Sequence, residues 1–284
     1  MASIIPFLPR QRLLARAARA AESESADDKS VSLCLRALPA APPSLKQRII
    51  LFLSRLAPDR AGEPLLAILS DEDEPFGIRL CAAVQLRSLL CRGASGKDEI
   101  VSRLISRLSY GDPEVRKLCL CALGFPGNRE AFAVMKSTLF DPDPQVRLAA
   151  VAAISSLGMA DAFTPLCELL KRGDCAEKKT VLFNLWRTGH DRAETSAVYA
   201  RYVFHENPEI RLACLAFLPD RQDLLTQLFR DPDPRVRCRA VERLASLGAA
   251  ALAPTAEALR RLLDDPDMQV KKSALAALKI SEQP

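Results

Sequence analysis

The chain has 284 residues, enough for one or two ordinary domains. It is 49% hydrophobic but only 5% aromatic, a profile for helices packed closely on helices that argues against a sheet rich in aromatic and β-branched residues. The net charge of +5 is concentrated at the start, where Arg10, Arg12, Arg16 and Arg19 stand among residues 1–20 without an acid, so the body is nearly neutral and poorly suited to gripping duplex phosphates.

The opening residues make a poor signal peptide, because the apolar part is short, contains prolines and precedes the charges. No apolar run is long enough to cross a membrane. Residues 9–21 are expected to form a helix, followed by a polar linker at Glu22–Asp28. This basic arm reads first as a cap over the apolar face of the first repeat. The alternatives are a targeting sequence or a surface, at residues 10–19, that touches an anionic membrane or an acidic partner. Residues 1–28 are thus set apart from a repeat region at 29–284.

Within that region a phrase recurs. Asp231-Pro-Asp-Pro-Arg-Val-Arg237 is nearly repeated as Asp141-Pro-Asp-Pro-Gln-Val-Arg147. Aligned on the cation after the apolar residue, a column runs Lys46, Arg79, Arg116, Arg147, Lys178, Arg211, Arg237 and Lys271. Its spacing of 26 to 37 residues is that of stacked helical hairpins. Four residues before the cation stand Asp112, Asp143, Asp174, Asn207, Asp233 and Asp267. Proline follows four of them, and an Asp or Asn before Pro is a helix start. Pro42 takes that place in the first unit. Small residues, among them Ala82, Cys119, Ala150 and Cys214, let neighbouring helices approach. Gly158, Gly189 and Gly248 are expected to end helices in the left-handed conformation. First helices are expected at Glu130–Phe140, Asp161–Lys171 and Leu252–Leu263.

Two units depart from the pattern. Glu177 replaces the usual apolar residue in the fifth, and the first helix of the seventh is short, after a helix closed by Pro219. A local change of curvature is expected near residues 172–230.

The pattern Asp-Pro-x-Val-Arg-x-x-Ala-x-x-x-Leu resembles HEAT-like repeats, most closely the short type named after the bilin lyases of phycobilisomes. Asp143 to Arg147 and Asp233 to Arg237 match it well, and the resemblance covers residues 30–280. It implies an all-α fold, a right-handed α-solenoid of about eight hairpins with an N-terminal cap helix. It also implies that the Asp and cation columns form a ladder between neighbouring repeats. Such repeats serve scaffolds, adaptors, lyase chaperones and a few enzymes, so the resemblance implies little about function.

Columns that recur in nearly every unit are structural, because a catalytic site is used once. His205-Glu206 is similar to one metal-binding pair of the HEAT-like diiron hydroxylases. Two histidines in the chain, His190 and His205, do not supply such a site. Trp186, Arg187, His190 and Asp191 form the densest polar-aromatic cluster. HEAT-like alkylpurine glycosylases stack lesions on Trp, but one Trp is a thin platform, and a Trp packed at a repeat boundary is the simpler reading. The nine cysteines, with no Cys-x-x-Cys, suit reduced thiols. Cys175, at a helix start, is the best candidate for a reactive one. On the second helices the exposed face is expected to be mixed, with Arg235, Arg239 and Glu242 on one side of the seventh unit and Lys272 nearby, and with Ala149, Ala152, Leu118 and Cys121 making its middle apolar.

Together these features point to a non-catalytic scaffold or adaptor without cofactor or metal in a bacterial cytoplasm. It would bind a protein or peptide through Trp186, Arg187, Asp191, Arg235, Arg239 and Lys272. The alternatives are a lyase-like enzyme subunit or cofactor-attachment chaperone, and a nucleic-acid binder.

Overall fold

The computed structural model describes residues 10–22, 27–218 and 221–281. Residues 1–9, most of the polar linker and Pro219 lie outside the described residues. Among the described residues the regular elements are all helical, and the fold is an α-solenoid. Contacts gather the chain into two compact units, residues 1–158 and 159–284.

In the first unit the helices are α1 (Arg10–Ala20), α2 (Asp28–Ala37), α3 (Pro43–Leu56), α4 (Pro58–Ser70), α5 (Phe76–Cys91), α6 (Lys97–Tyr110), α7 (Pro113–Leu123), α8 (Arg129–Ser137) and α9 (Pro144–Ser156). The pairs α2/α3, α4/α5, α6/α7 and α8/α9 are hairpins, and α3, α5, α7 and α9 pack side by side in that order. Helix α1 buries Ala17 and Ala20 against α2 and α3, while Arg48 of α3 donates to the Ala18 carbonyl at 3.0 Å. In the second unit the helices are α10 (Phe163–Arg172), α11 (Cys175–Asn184), α12 (Arg192–Tyr202), α13 (Pro208–Leu215), α14 (Gln222–Gln227), α15 (Pro234–Ala245), α16 (Ala249–Leu252), α17 (Ala256–Arg261) and α18 (Met268–Ser281). Here α11, α13, α15 and α18 pack in sequence.

The first helices are less regular than their apolar spacing suggests. The helix expected to Phe140 ends at Ser137 and tightens into a 3-10 turn at Thr138–Phe140. The one expected at 252–263 is split, since Pro254 has no N–H to donate and a 3-10 turn at Ala253–Thr255 intervenes. Helix α14 has only six residues. Gly158, Gly189 and Gly248 take positive φ of 65°, 68° and 91°, a region costly for residues with a Cβ.

The Asp column caps helices. Asp112, Asp143 and Asp267 each accept two backbone N–H groups of the helix that follows, and Asp174, Asn207 and Asp233 each accept one. Each cap is worth about 1 kcal/mol. Glu177 completes a capping box, its carboxylate accepting from the Asp174 N–H at 2.8 Å. The unusual acid of the fifth unit is therefore a cap partner.

The ladder runs to a different aspartate from the one expected. Arg116 grips Asp141 with two hydrogen bonds at 2.8 and 2.7 Å. Arg237 grips Asp265 with two at 2.8 Å, and Arg211 reaches Asp231 at 2.6 Å. In each case the acceptor lies two residues before the cap. The capping carboxylate is already engaged by its own helix, whereas the earlier Asp closes the preceding element, within reach of the repeat before. It also accepts the N–H of the capping residue at 2.9 Å in all three copies, which fixes the turn. Earlier rungs use glutamates, pairing Lys46 with Glu74 and Arg79 with Glu114. Arg147 donates to the Asp141 carbonyl at 2.7 Å, Lys178 donates to the Gly173 carbonyl, and Lys271 adds an electrostatic pull on Asp265.

Candidate functional site

The second helices expose a stripe beginning at the residue after the ladder cation. Five residues after the cation stand Leu51, Val84, Cys121 and Ala152 in the first unit, and Phe183, Ala216, Glu242 and Ala276 in the second. Leu118, expected on this stripe, is buried as α7 packs between its neighbours. Lys117, one residue earlier, takes the outward place.

Phe183 is the large exception in its half of that column, and it begins an aromatic patch. The helix α11 gives way at Asn184 to a 3-10 turn, Leu185–Thr188, which turns Trp186 outward. Trp186 is 57% exposed and Phe183 is 45% exposed. The indole N–H donates to the Phe183 carbonyl at 3.0 Å. Phe217 lies between them and the core. It stacks on Trp186 at 6.2 Å, meets Phe183 edge-on at 5.7 Å and stacks on Tyr199 at 5.9 Å. Tyr199 is buried, and its hydroxyl donates to the Leu182 carbonyl at 2.8 Å. Burial pushes that phenol above its ordinary pKa, so it stays a donor. The exposed rings thus rest on a fixed base.

Beside them opens a cleft of about 290 Å³, lined by Trp186, His190, Arg192, Thr195, Tyr199 and Phe217. His190 stacks on Phe163 at 3.9 Å and bonds Glu194 at 2.8 Å. Arg187 and Asp191, expected beside Trp186, do not line it. Asp191 caps α12, accepting from Ala193 and Glu194, and Arg187 lies 3.5 Å from the Asn184 amide oxygen.

The charged candidates are partly compensated. Arg235 bonds Glu209 at 2.8 Å and Asp233 at 2.9 Å, and Lys179 meets the other oxygen of Glu209 at 2.9 Å. These cations hold Glu209 and Asp233 below the ordinary carboxylate range. Arg239 pairs with Glu242, while Lys272 is exposed. The charges expected to meet a partner therefore form, in the main, a surface network joining α11, α13 and α15.

No group of three or more His, Cys, Asp or Glu among the described residues is placed to hold a metal ion. His205 uses Nδ1 to accept from the Asn207 N–H at 3.0 Å. Burial raises the thiols of Cys34 to about 11 and of Cys119 and Cys214 to about 12. Cys91 and Cys175 are exposed. A thiol reagent at neutral pH is expected to modify Cys91 and Cys175 within minutes and Cys119 and Cys214 only after denaturation. Peptide mapping of the labelled protein checks this, and rapid native labelling of Cys119 would contradict it.

Among the described residues no helix is long and apolar enough to cross a membrane. No curated protein matches the chain. Among solved structures it is similar to YibA of E. coli, at 18% identity over 96% of this chain and 97% of that one, with a TM-score of 0.53. It is also similar to the complex of CpcE and CpcF of phycocyanin lyase from Nostoc sp., at 22% identity over 78% and 94%, with a TM-score of 0.44. The first likeness bears on fold alone, and the second is weaker still. The HEAT-repeat pattern itself matches residues 101–181 and 196–279, more than half of the sequence and the stretches that hold the capped, laddered hairpins. The chain belongs to the HEAT-repeat proteins, a fold that commonly mediates protein interaction.

Proposed function

We propose that this protein is a non-catalytic scaffold that binds a protein or peptide partner on the exposed face of its second helices. The aromatic patch of Phe183, Trp186 and Phe217 is its anchor. The exposure of Trp186 over a buried aromatic base carries this reading. Rigid aromatics that present large area at little entropic cost are the usual hot spots of protein interfaces. Arg235, Arg239 and Lys272 would form a polar rim, where charges govern approach more than affinity. Arg187 and Asp191 would flank the anchor, outside the cleft beside it. The reduced thiols suit a cytoplasmic setting.

Affinity purification with the intact chain, alongside the Trp186→Ala variant, tests the proposal. A partner retained by the first and lost by the second is expected. Retention of the same partner by both would remove the anchor, and turnover of a small molecule by the purified protein would remove the non-catalytic reading.

A further inference from the structure

In the first unit the acids, unlike the cations, are largely absent from the second helices. Helices α3, α5 and α9 contain no acid, and the one acid of α7, Glu114, is paired with Arg79. The acids of the neighbouring layer, such as Asp59 and Glu63 on α4 and Asp98 and Glu99 on α6, lie on the first helices. With the ladder cations engaged, Arg55, Arg87 and Lys117 remain on the second-helix stripe. Arg55 and Arg87 are exposed and make no ion pair or side-chain hydrogen bond among the described residues, and Lys117 lies 5.6 Å from the Phe76 ring centroid. Between them stand exposed aliphatic side chains, Leu51 at 46%, Leu80 at 38% and Val84 at 37%. At the α3 end a cleft of about 450 Å³ is lined by Arg48, Leu51, Arg55, Gln85 and Arg92. The second unit differs in degree, because Lys179, Arg235 and Arg239 on its second helices are paired with Glu209, Asp233 and Glu242, leaving Lys272 as its exposed cation after the ladder position.

We infer that the second-helix face of the first unit is a docking surface for an acidic peptide segment whose carboxylates alternate with apolar side chains. Unpaired arginines on one face attract such a segment, and Leu51, Leu80 and Val84 give it apolar surface to cover. A phosphate backbone would satisfy the arginines but leave those aliphatic side chains in water. The inference rests on the scaffold reading but uses a surface separate from the Trp186 patch.

The test is fluorescence anisotropy with the full chain and a labelled peptide alternating Glu with Leu, alongside a Lys/Leu peptide, a Glu/Ser peptide and a short DNA duplex. The Glu/Leu peptide is expected to bind, more weakly as salt rises. Charge reversal in the R55E/R87E double variant is expected to weaken it about tenfold, the order of two rim ion pairs. L51S is expected to weaken it with both arginines intact, while K136E, a charge reversal on the first helix α8, leaves it unchanged. Circular dichroism checks that each variant is folded, and the milder R55Q/R87Q variant replaces any that is not. No binding of the Glu/Leu peptide overturns the inference, as does equal binding of the Lys/Leu peptide, the Glu/Ser peptide or the duplex. If this surface fails while the Trp186 patch still holds its partner, the scaffold reading stands without it.

Discussion

Replacing Asp231 by Ala is expected to destabilise the protein by about 3–5 kcal/mol, the cost of leaving a buried charge without its partner. Asp231 is 7% exposed and receives Arg211, itself 6% exposed, at 2.6 Å. The Arg211 Nε already lacks a partner, so removing the carboxylate strands a guanidinium still bonded to the His205 and Glu206 carbonyls. The same substitution frees the Asp233 N–H and loosens the turn into α15. Asp233→Ala is expected to cost only about 1 kcal/mol, because it removes a helix cap whose helix remains packed. Urea unfolding followed by circular dichroism compares the two. Equal losses would mean that the two aspartates do not divide ladder and cap between them.

Trp186→Ala is expected to weaken partner binding by about 2 kcal/mol or more, roughly thirtyfold, while leaving stability nearly unchanged. The side chain is mostly in water, so little folding energy depends on it. Tyr199→Phe should behave in the opposite way. It leaves the Leu182 carbonyl without its donor and lowers stability by about 1–2 kcal/mol, yet keeps the exposed rings. Titration calorimetry with the captured partner, read beside thermal unfolding, separates anchor from foundation.

The hairpins were legible in the sequence because each repeat spells its own start, and the Asp-Pro caps fall where that spelling places them. The ladder was half legible. Asp141 and Asp231 opened the recurring phrase, but only geometry shows which of its two acids faces the preceding repeat. Glu177 looked like a defect because its partner, the Asp174 N–H, belongs to the backbone. The aromatic patch was legible at Trp186 but not as an assembly. Phe217 is 31 residues from Trp186, and Tyr199 looks like any core residue of a first helix. Phe183 did carry a signal, a large ring in a column otherwise filled largely by smaller side chains. Arg239 and Glu242 stand three residues apart on one helix, so their pairing is readable in sequence, whereas Glu209 reaches Arg235 only after folding.

Hydrogen–deuterium exchange on the complex with the captured partner would decide most directly whether the second helices are the binding face. Slowed exchange is predicted at the end of α11 and through residues 185–190, with little change in the first helices α10 and α12 beyond the edge of the cleft. Protection confined to the first helices, with residues 183–190 exchanging as in the free protein, would contradict it.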